Sequence, residues 1–254
     1  MWKIACMAVA LLMCLSGRAE AQFSMLIPSS STVMEDKESS LKLDVFSAYP
    51  MEMRGLDMQQ PKSLTITRDG KVEDLKAMLK PATLIGHQAW RAVYEVKQPG
   101  VYQFAMEPAP YFDPEEDRFI IHYTKTVVAA FGDEKGWDVP LGLKMEIIPL
   151  TRPFANYSGF QGRVLLDGKP VPGAEVEVEY YNRDDVYTTP NVYFMTQVIK
   201  TDENGVFTYC APWPGWWGFA ALKTDRKKME HQGALKDVEL GAVIWMEFTA
   251  PLKR

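Results

Sequence analysis

The chain has 254 residues, of which 47% are hydrophobic and 24% are charged, and its formal net charge is −5. These values are typical of a globular protein with a sizeable core, and the absence of any Lys/Arg-rich run argues against a nucleic-acid partner. Because hydrolase, dinucleotide-binding and Walker signatures are also missing, we expect a protein that is not an enzyme.

The first 21 residues have the features of a secretory signal peptide. Lys3 precedes an apolar run at 4–15, which is shorter than the ~20 residues that a membrane-spanning helix needs. Ala19-Glu20-Ala21 then matches the small-x-small pattern of a cleavage site. We therefore expect a periplasmic protein whose mature chain begins at Gln22 and has no membrane span.

The N-terminal half alternates apolar and polar residues with a period of two, at 40–50, 62–75, 88–96 and 100–107. This alternation predicts half-buried antiparallel strands. Short helices are suggested at part of 123–131 and near 225–231. Residues 22–150 are accordingly predicted to form one β-sandwich domain.

The C-terminal part is more regular, with predicted strands at 160–166, 174–181 and 239–250 and two more within 202–223. A segment rich in Pro and Gly at 149–159 is typical of a linker, so 155–254 is predicted to be a second domain. The expected fold class is all-β: two antiparallel β-sandwich domains with Ig-like or transthyretin-like topology.

One predicted strand carries three alternating acidic residues, Glu175, Glu177 and Glu179. They share a face opposite to Val176 and Val178, because successive side chains of a strand point to opposite sides. We expect the glutamates to form a solvated face.

Five residues are candidate metal ligands. His122 ends an apolar strand, and His231 lies in a polar segment; for each, a hydrogen-bonded structural or surface histidine is the commoner explanation. Met51 and Met53, predicted on one strand face, flank Glu52. Thioethers are soft ligands that select Cu(I), although methionine also fills gaps in cores.

The segment 212–219 contains the aromatic residues Trp213, Trp216 and Trp217. Exposed tryptophans can stack on sugar rings, which would make the protein an exported glycan-binding or adhesion module. Burial in a β-domain core or a domain interface is the alternative explanation.

Three long segments, "HYTKTVVAAFGDEKGWDVPLGLKMEIIPLTRPF", "GRVLLDGKPVPGAEVEVEYYN" and "TDENGVFTYCAPWPGWWGFAAL", resemble the domain-of-unknown-function 4198 family. Together with "FSMLIPS" and "DVELGAVIWMEF" the resemblance spans nearly all of the chain after the signal peptide. The C-terminal domain also resembles carboxypeptidase-regulatory-like domains.

The resemblance implies an exported protein associated with nickel/cobalt uptake systems of the energy-coupling-factor type. Such a protein would capture Ni²⁺ or Co²⁺, with Cu⁺ as a lesser possibility, or dock on an inner-membrane metal importer. Family members commonly carry histidine at the positions of Gln22 and Tyr49. Of the histidines that the family implies as ligands, His122 is retained, and His231 is a candidate for a second.

Overall fold

The structure, a computed structural model, describes residues 21–35 and 39–253. The predicted signal peptide therefore lies, apart from Ala21, outside the described residues. The described part of the chain contains no helix with the length and hydrophobicity of a membrane span.

Twenty strands and two short 3-10 turns make up the secondary structure of the described residues. The N-terminal strands are β1 (Phe23–Pro28), β2 (Thr32–Val33), β3 (Ser40–Tyr49), β4 (Arg54–Leu56), β5 (Ser63–Arg68), β6 (Lys71–Asp74), β7 (Lys80–Leu84), β8 (His87–Glu95), β9 (Gly100–Glu107), β10 (Tyr111–Asp113) and β11 (Arg118–Ala130). The C-terminal strands are β12 (Met145–Pro149), β13 (Gly159–Leu166), β14 (Lys169–Pro170), β15 (Glu175–Tyr180), β16 (Gln197–Lys200), β17 (Val206–Cys210), β18 (Gly215–Thr224), β19 (Met229–His231) and β20 (Ala234–Phe248). The 3-10 turns are Lys76–Met78 and Val192–Phe194. The predicted all-β fold is confirmed.

The strands form three sheets. Sheet A has the order β1-β3-β8-β7 with β4 beside β3, and sheet C has the order β12-β13-β14 with β17 beside β13. Sheet B is the largest, with the order β16-β15-β18-β20-β11-β9-β5-β6. Pairing is mostly antiparallel, but β11 runs parallel to β20 and to β2. Sheet B thus contains strands from both predicted domains.

The short helix predicted within 123–131 is wrong, because these residues belong to β11. This strand lies at the centre of sheet B and is buried at every residue after Arg118. Its β-branched residues fit a pleated surface that is covered on both faces. A continuous buried run has no alternation, which is why the pattern does not extend the predicted strand beyond His122.

Sheet A is covered on both faces by sheet B. One face packs on β5, β9 and β11 through a core that includes Leu43 and Phe104. The other packs on β18 and β20, where Phe23 meets Trp245 edge-on with ring centroids 5.6 Å apart. Every residue of β1 is therefore buried. Sheet C covers the remaining face of β15, β18 and β20.

Candidate functional site

A cavity of about 140 Å³ lies where β11, β15 and β20 approach the start of β1. Its wall includes Gln22, Tyr49 and His122, which are far apart in sequence. Two carboxylates, the half-buried Glu177 and the buried Glu239, complete its inner side. The other lining residues are Ala21, Asp113, Glu115, Glu116, Arg118, Ile120 and Leu222. We call this space the His122 cavity.

The position of His122 depends on a glycine in the neighbouring strand. His122 of β11 lies opposite Gly241 of β20, and a Cβ atom built on Gly241 would be 2.4 Å from Cδ2 of the imidazole. Any larger residue at position 241 would have to displace the imidazole ring. The ring has little room to move, because His122 is packed on all sides and only 2% exposed. Gly241 is thus the residue that allows a histidine to lie flat against the sheet.

We expect Gly241→Ala to destabilise the protein by about 1–3 kcal/mol, the usual effect of overpacking a closed core. Urea denaturation would measure the change. Gly159→Ala is the matched control, because a Cβ there meets nothing within 4 Å. Equal losses in the two variants would contradict the assigned role of Gly241.

Glu239 connects His122 to an arginine. Its Oε1 lies 3.4 Å from Nε2 of His122, and its Oε2 lies 2.9 Å from Nη1 of Arg118. Burial alone would raise the pKa of Glu239, but His122 and Arg118 together lower it. In the imidazole tautomer whose Nε2–H donates to Glu239, the lone pair lies on Nδ1.

Three polar atoms of residues that line this cavity are buried and have no hydrogen-bond partner in the described part of the chain. They are Nδ1 of His122, Oε1 of Gln22 and Nε of Arg118. Such orphaned atoms are uncommon in native proteins, since each costs about 1–3 kcal/mol when it is left unsatisfied. A ligand bound in the cavity could supply the missing contacts.

The predicted solvated glutamate face is wrong for two of its three members. Glu175 is exposed, but Glu177 lines the His122 cavity and Glu179 is 3% exposed. Burial, together with repulsion from Glu239, raises the pKa of Glu177 to about 7. The reason is that sheet A covers this face of β15, a packing that the alternation of the strand cannot reveal.

The other predicted metal ligands lie elsewhere. His231 stacks on Phe112 with ring centroids 3.7 Å apart. Met51 is buried, and its backbone N–H points to Glu179 with an N···O distance of 3.4 Å. Glu52 is exposed and lies 3.5 Å from Arg54. Met53 occupies a left-handed turn with φ of 52°.

The structure therefore does not bring the five predicted ligands together. Met51 and Met53 lie in the turn after β3 rather than on one strand face. Within residues 21–35 and 39–253, no group of three or more His, Cys, Asp or Glu side chains is arranged to hold a metal ion. A metal in the His122 cavity would need ligands of another kind, such as an amide oxygen or a backbone amine.

The three tryptophans do not share one surface. Trp216 is buried in the core between sheets A and B, and Trp217 is buried on the opposite face of sheet B. Trp213 is half-buried and lines a second cavity, of about 450 Å³, together with Trp217 and several tyrosines. Trp213 is thus the tryptophan of this cluster that retains partial exposure.

Sequence reasoning missed Glu239 and Gly241 as parts of the site. Glu239 is the first residue of the strand predicted at 239–250, where an acidic residue is expected at the solvent-exposed end; in the structure it lies inside β20. Gly241 lies inside the same strand, and an interior glycine does signal close approach of another group. Gly241 thus indicates that another group approaches the strand, but it does not show that this group is His122.

Comparison with known families gives one extensive match. The family model described as "Domain of unknown function (DUF4198)" matches residues 19–225. Among curated proteins, none matches the chain.

Several solved structures match at low similarity. The "D00-D0 domain of Intimin" is 9% identical, with 91% of this chain and 100% of that chain covered and a TM-score of 0.21. A "putative carbohydrate binding protein" from Bacteroides uniformis is 10% identical, with coverages of 86% and 100% and a TM-score of 0.26. Dimeric latent PorU from Porphyromonas gingivalis is 11% identical, with coverages of 87% and 20% and a TM-score of 0.24. Matches at this level bear on no functional question.

Proposed function

The chain belongs to the domain-of-unknown-function 4198 family, and on that premise we propose that it is an exported, non-enzymatic protein that binds a divalent transition metal in the His122 cavity. The metal is Ni²⁺ or Co²⁺, carried as cargo to an inner-membrane importer. The observation that carries this proposal is the convergence of Gln22, Tyr49 and His122 on one cavity. Family members commonly have histidine at the first two of these positions.

The environment of His122 supports a role as ligand. A metal-binding histidine usually donates its other ring N–H to a carboxylate, which fixes the tautomer and raises the basicity of the ligating nitrogen. Glu239 is placed to accept from Nε2, and Arg118 keeps that carboxylate ionised. The unpartnered Nδ1 is then the nitrogen available to the metal.

Gln22 would supply the remaining ligands. Cleavage after Ala21 would create a free amine at Gln22, in the wall of the cavity. An amine beside an imidazole is a chelating pair that suits Ni²⁺, and the unpartnered Oε1 of Gln22 is a further donor. Glu177 and Glu239 would offset the positive charge of the ion. Cyclisation of Gln22 to pyroglutamate would remove the amine and weaken the site.

The proposal predicts that mature protein beginning at Gln22 binds Ni²⁺ or Co²⁺ with a Kd below about 100 µM, which corresponds to about 5–6 kcal/mol. Isothermal calorimetry would measure the affinity. His122→Ala should weaken binding at least tenfold, and Gln22→His should strengthen it. His87→Ala is the matched control, because that histidine is on the surface beside Asp57, 3.3 Å away.

Two results would contradict the metal proposal. One is a wild-type affinity too weak to measure, and the other is an affinity that His122→Ala leaves unchanged. A version with two extra residues before Gln22 separates the contribution of the Gln22 amine from that of His122, because it blocks the amine but retains the histidine. Loss of binding in that version would identify the amine as a ligand.

The glycan-binding alternative rests on Trp213, since Trp216 and Trp217 are both buried. One face of the Trp213 ring is stacked on Tyr187, with centroids 5.0 Å apart. This face of the Trp213 ring is therefore not free to stack on a sugar, as it would be in an exposed tryptophan. The metal proposal accounts for more of the buried polar groups and is the one that we favour.

A further inference from the structure

The second cavity shares no lining residue with the His122 cavity. Its volume of about 450 Å³ is within the range of small-molecule sites. Most of the wall is apolar, and it includes six aromatic side chains: Tyr180, Tyr187, Phe194, Tyr209, Trp213 and Trp217. The lining contains no formally charged side chain. We call this space the aromatic cavity.

The aromatic wall is preformed by packing among its own rings. Trp213 lies 5.7 Å from Tyr180 and 5.3 Å from Trp217, measured between ring centroids. Tyr180 can approach this closely because residue 215 is glycine: a Cβ there would be 2.6 Å from Cε2 of the tyrosine. The cavity is therefore a stable feature of the fold and does not depend on one mobile side chain.

The loop over the cavity is also held in place. Asn182 is 1% exposed, and its side-chain amide donates to the carbonyl oxygens of Tyr187, at 2.8 Å, and of Met51, at 3.2 Å. Its Oδ1 accepts from the backbone N–H of Tyr187 at 3.2 Å. Tyr187 and Phe194 both line the cavity and are 43% and 54% exposed, so the cavity reaches solvent on their side.

One polar group in this wall is anomalous. The indole N–H of Trp213 is buried and has no hydrogen-bond partner in the described part of the chain. The neighbouring Trp217 has its own N–H satisfied by the carbonyl oxygen of Trp213, at 3.0 Å. A buried tryptophan N–H usually finds a partner. An acceptor that satisfies the indole N–H of Trp213 would therefore have to come from outside the described residues, as a ligand or a water molecule.

We infer that the aromatic cavity binds a neutral ligand with one aromatic ring and an oxygen acceptor. The uncharged lining offers no salt-bridge partner for an ionic ligand, and the aromatic walls favour edge-to-face contact with another ring. The acceptor oxygen pairs with the indole N–H of Trp213. A sugar is disfavoured as the ligand, because one face of the Trp213 ring is already stacked on Tyr187 and is not free to stack on a sugar ring.

The test uses 4-methylacetophenone as the probe, a neutral aromatic ketone with one acceptor oxygen. The indole N–H signals of ¹⁵N-labelled full-length protein are followed by NMR, and the Trp213 signal is assigned from its loss in Trp213→Phe. We expect the Trp213 signal to move downfield as the ketone is added, and to reach a plateau when the cavity is saturated. The matched hydrocarbon 4-ethyltoluene should bind without the downfield shift, since it has no acceptor.

Two variants complete the experiment. Thr189→Phe fills the cavity but keeps the Trp213 signal, and it should weaken probe binding at least tenfold. Tyr193→Ala, at a loop residue that is 85% exposed and is not a lining residue, should leave binding unchanged. The inference is overturned if the ketone leaves the Trp213 signal in place, or if methyl glucoside shifts it at lower concentration than the ketone does.

Discussion

Replacing Lys125 by methionine is expected to lower the free energy of unfolding by about 3–5 kcal/mol, the usual cost of removing one partner from a buried ion pair. Lys125 of β11 is 1% exposed in its side chain, and Glu146 of β12 is 2% exposed. Their Nζ and Oε1 atoms are 2.8 Å apart. Burial lowers the pKa of Lys125, and the adjacent carboxylate opposes this effect.

The loss is large because Glu146 holds more than the lysine. Its Oε2 also accepts the backbone N–H groups of Leu141 and Gly142, each at 3.1 Å. Without Lys125 a buried negative charge remains, and the loop before β12 is held by an uncompensated carboxylate. The double variant Lys125→Met/Glu146→Gln should recover much of the stability, because a neutral amide oxygen can still accept both N–H groups.

Urea denaturation at neutral pH would measure these differences. Lys62→Met is the matched control, since Lys62 pairs with Glu107 at 3.1 Å but is half exposed. An exposed pair contributes about 0–1 kcal/mol. If Lys125→Met and Lys62→Met lower the free energy of unfolding by the same amount, the buried Lys125–Glu146 pair is not important for stability.

The second large effect concerns pH. We expect the wild-type protein to lose stability as the pH rises from about 5 to 8.5, and Glu179→Gln to remove a substantial part of this loss. Burial raises the pKa of Glu179 to about 8, despite hydrogen bonds from Thr196 and from the backbone of Met51. Glu177, with its pKa raised to about 7, acts in the same direction.

The sign follows from proton binding. Between the unfolded pKa of Glu179, about 4.5, and its folded value, about 8, the folded state holds a proton that the unfolded state has released. Raising the pH through this window therefore favours unfolding, by up to about 1.4 kcal/mol per pH unit. Below pH 4.5 both states are protonated and the contribution is fully present. Above about pH 8 it has been lost.

The measurement is the free energy of unfolding at several pH values, with a chelator present so that metal binding does not contribute. Relative to wild type, Glu179→Gln should gain on the order of 2 kcal/mol between pH 5.5 and 8.5. Glu175→Gln is the control on the same strand, because Glu175 is exposed and pairs with Lys200. Parallel curves for wild type and Glu179→Gln would show that this carboxyl is not protonated in the folded state.

Part of the site could be anticipated from the residues alone. His122 is a candidate because it ends a predicted apolar strand, and the family resemblance singles out Gln22 and Tyr49, where relatives commonly have histidine. Their convergence on one cavity was not predictable, since it depends on β1 and β3 being placed beside the centre of sheet B. For Glu239 the strand pattern gave no sign of a contact with His122.

Most of the local structure follows from the residues alone. The period-two alternation produces strands, and the left-handed pairs Asp69-Gly70 and Asp167-Gly168 form the turns after β5 and β13. These signals are local, because they depend on backbone geometry and on which side each side chain points. What covers each strand depends instead on how the sheets pack. Sheet A covers the glutamate face of β15, so the half-buried Glu177 and the buried Glu179 have raised pKa values, whereas Glu175 remains exposed to water.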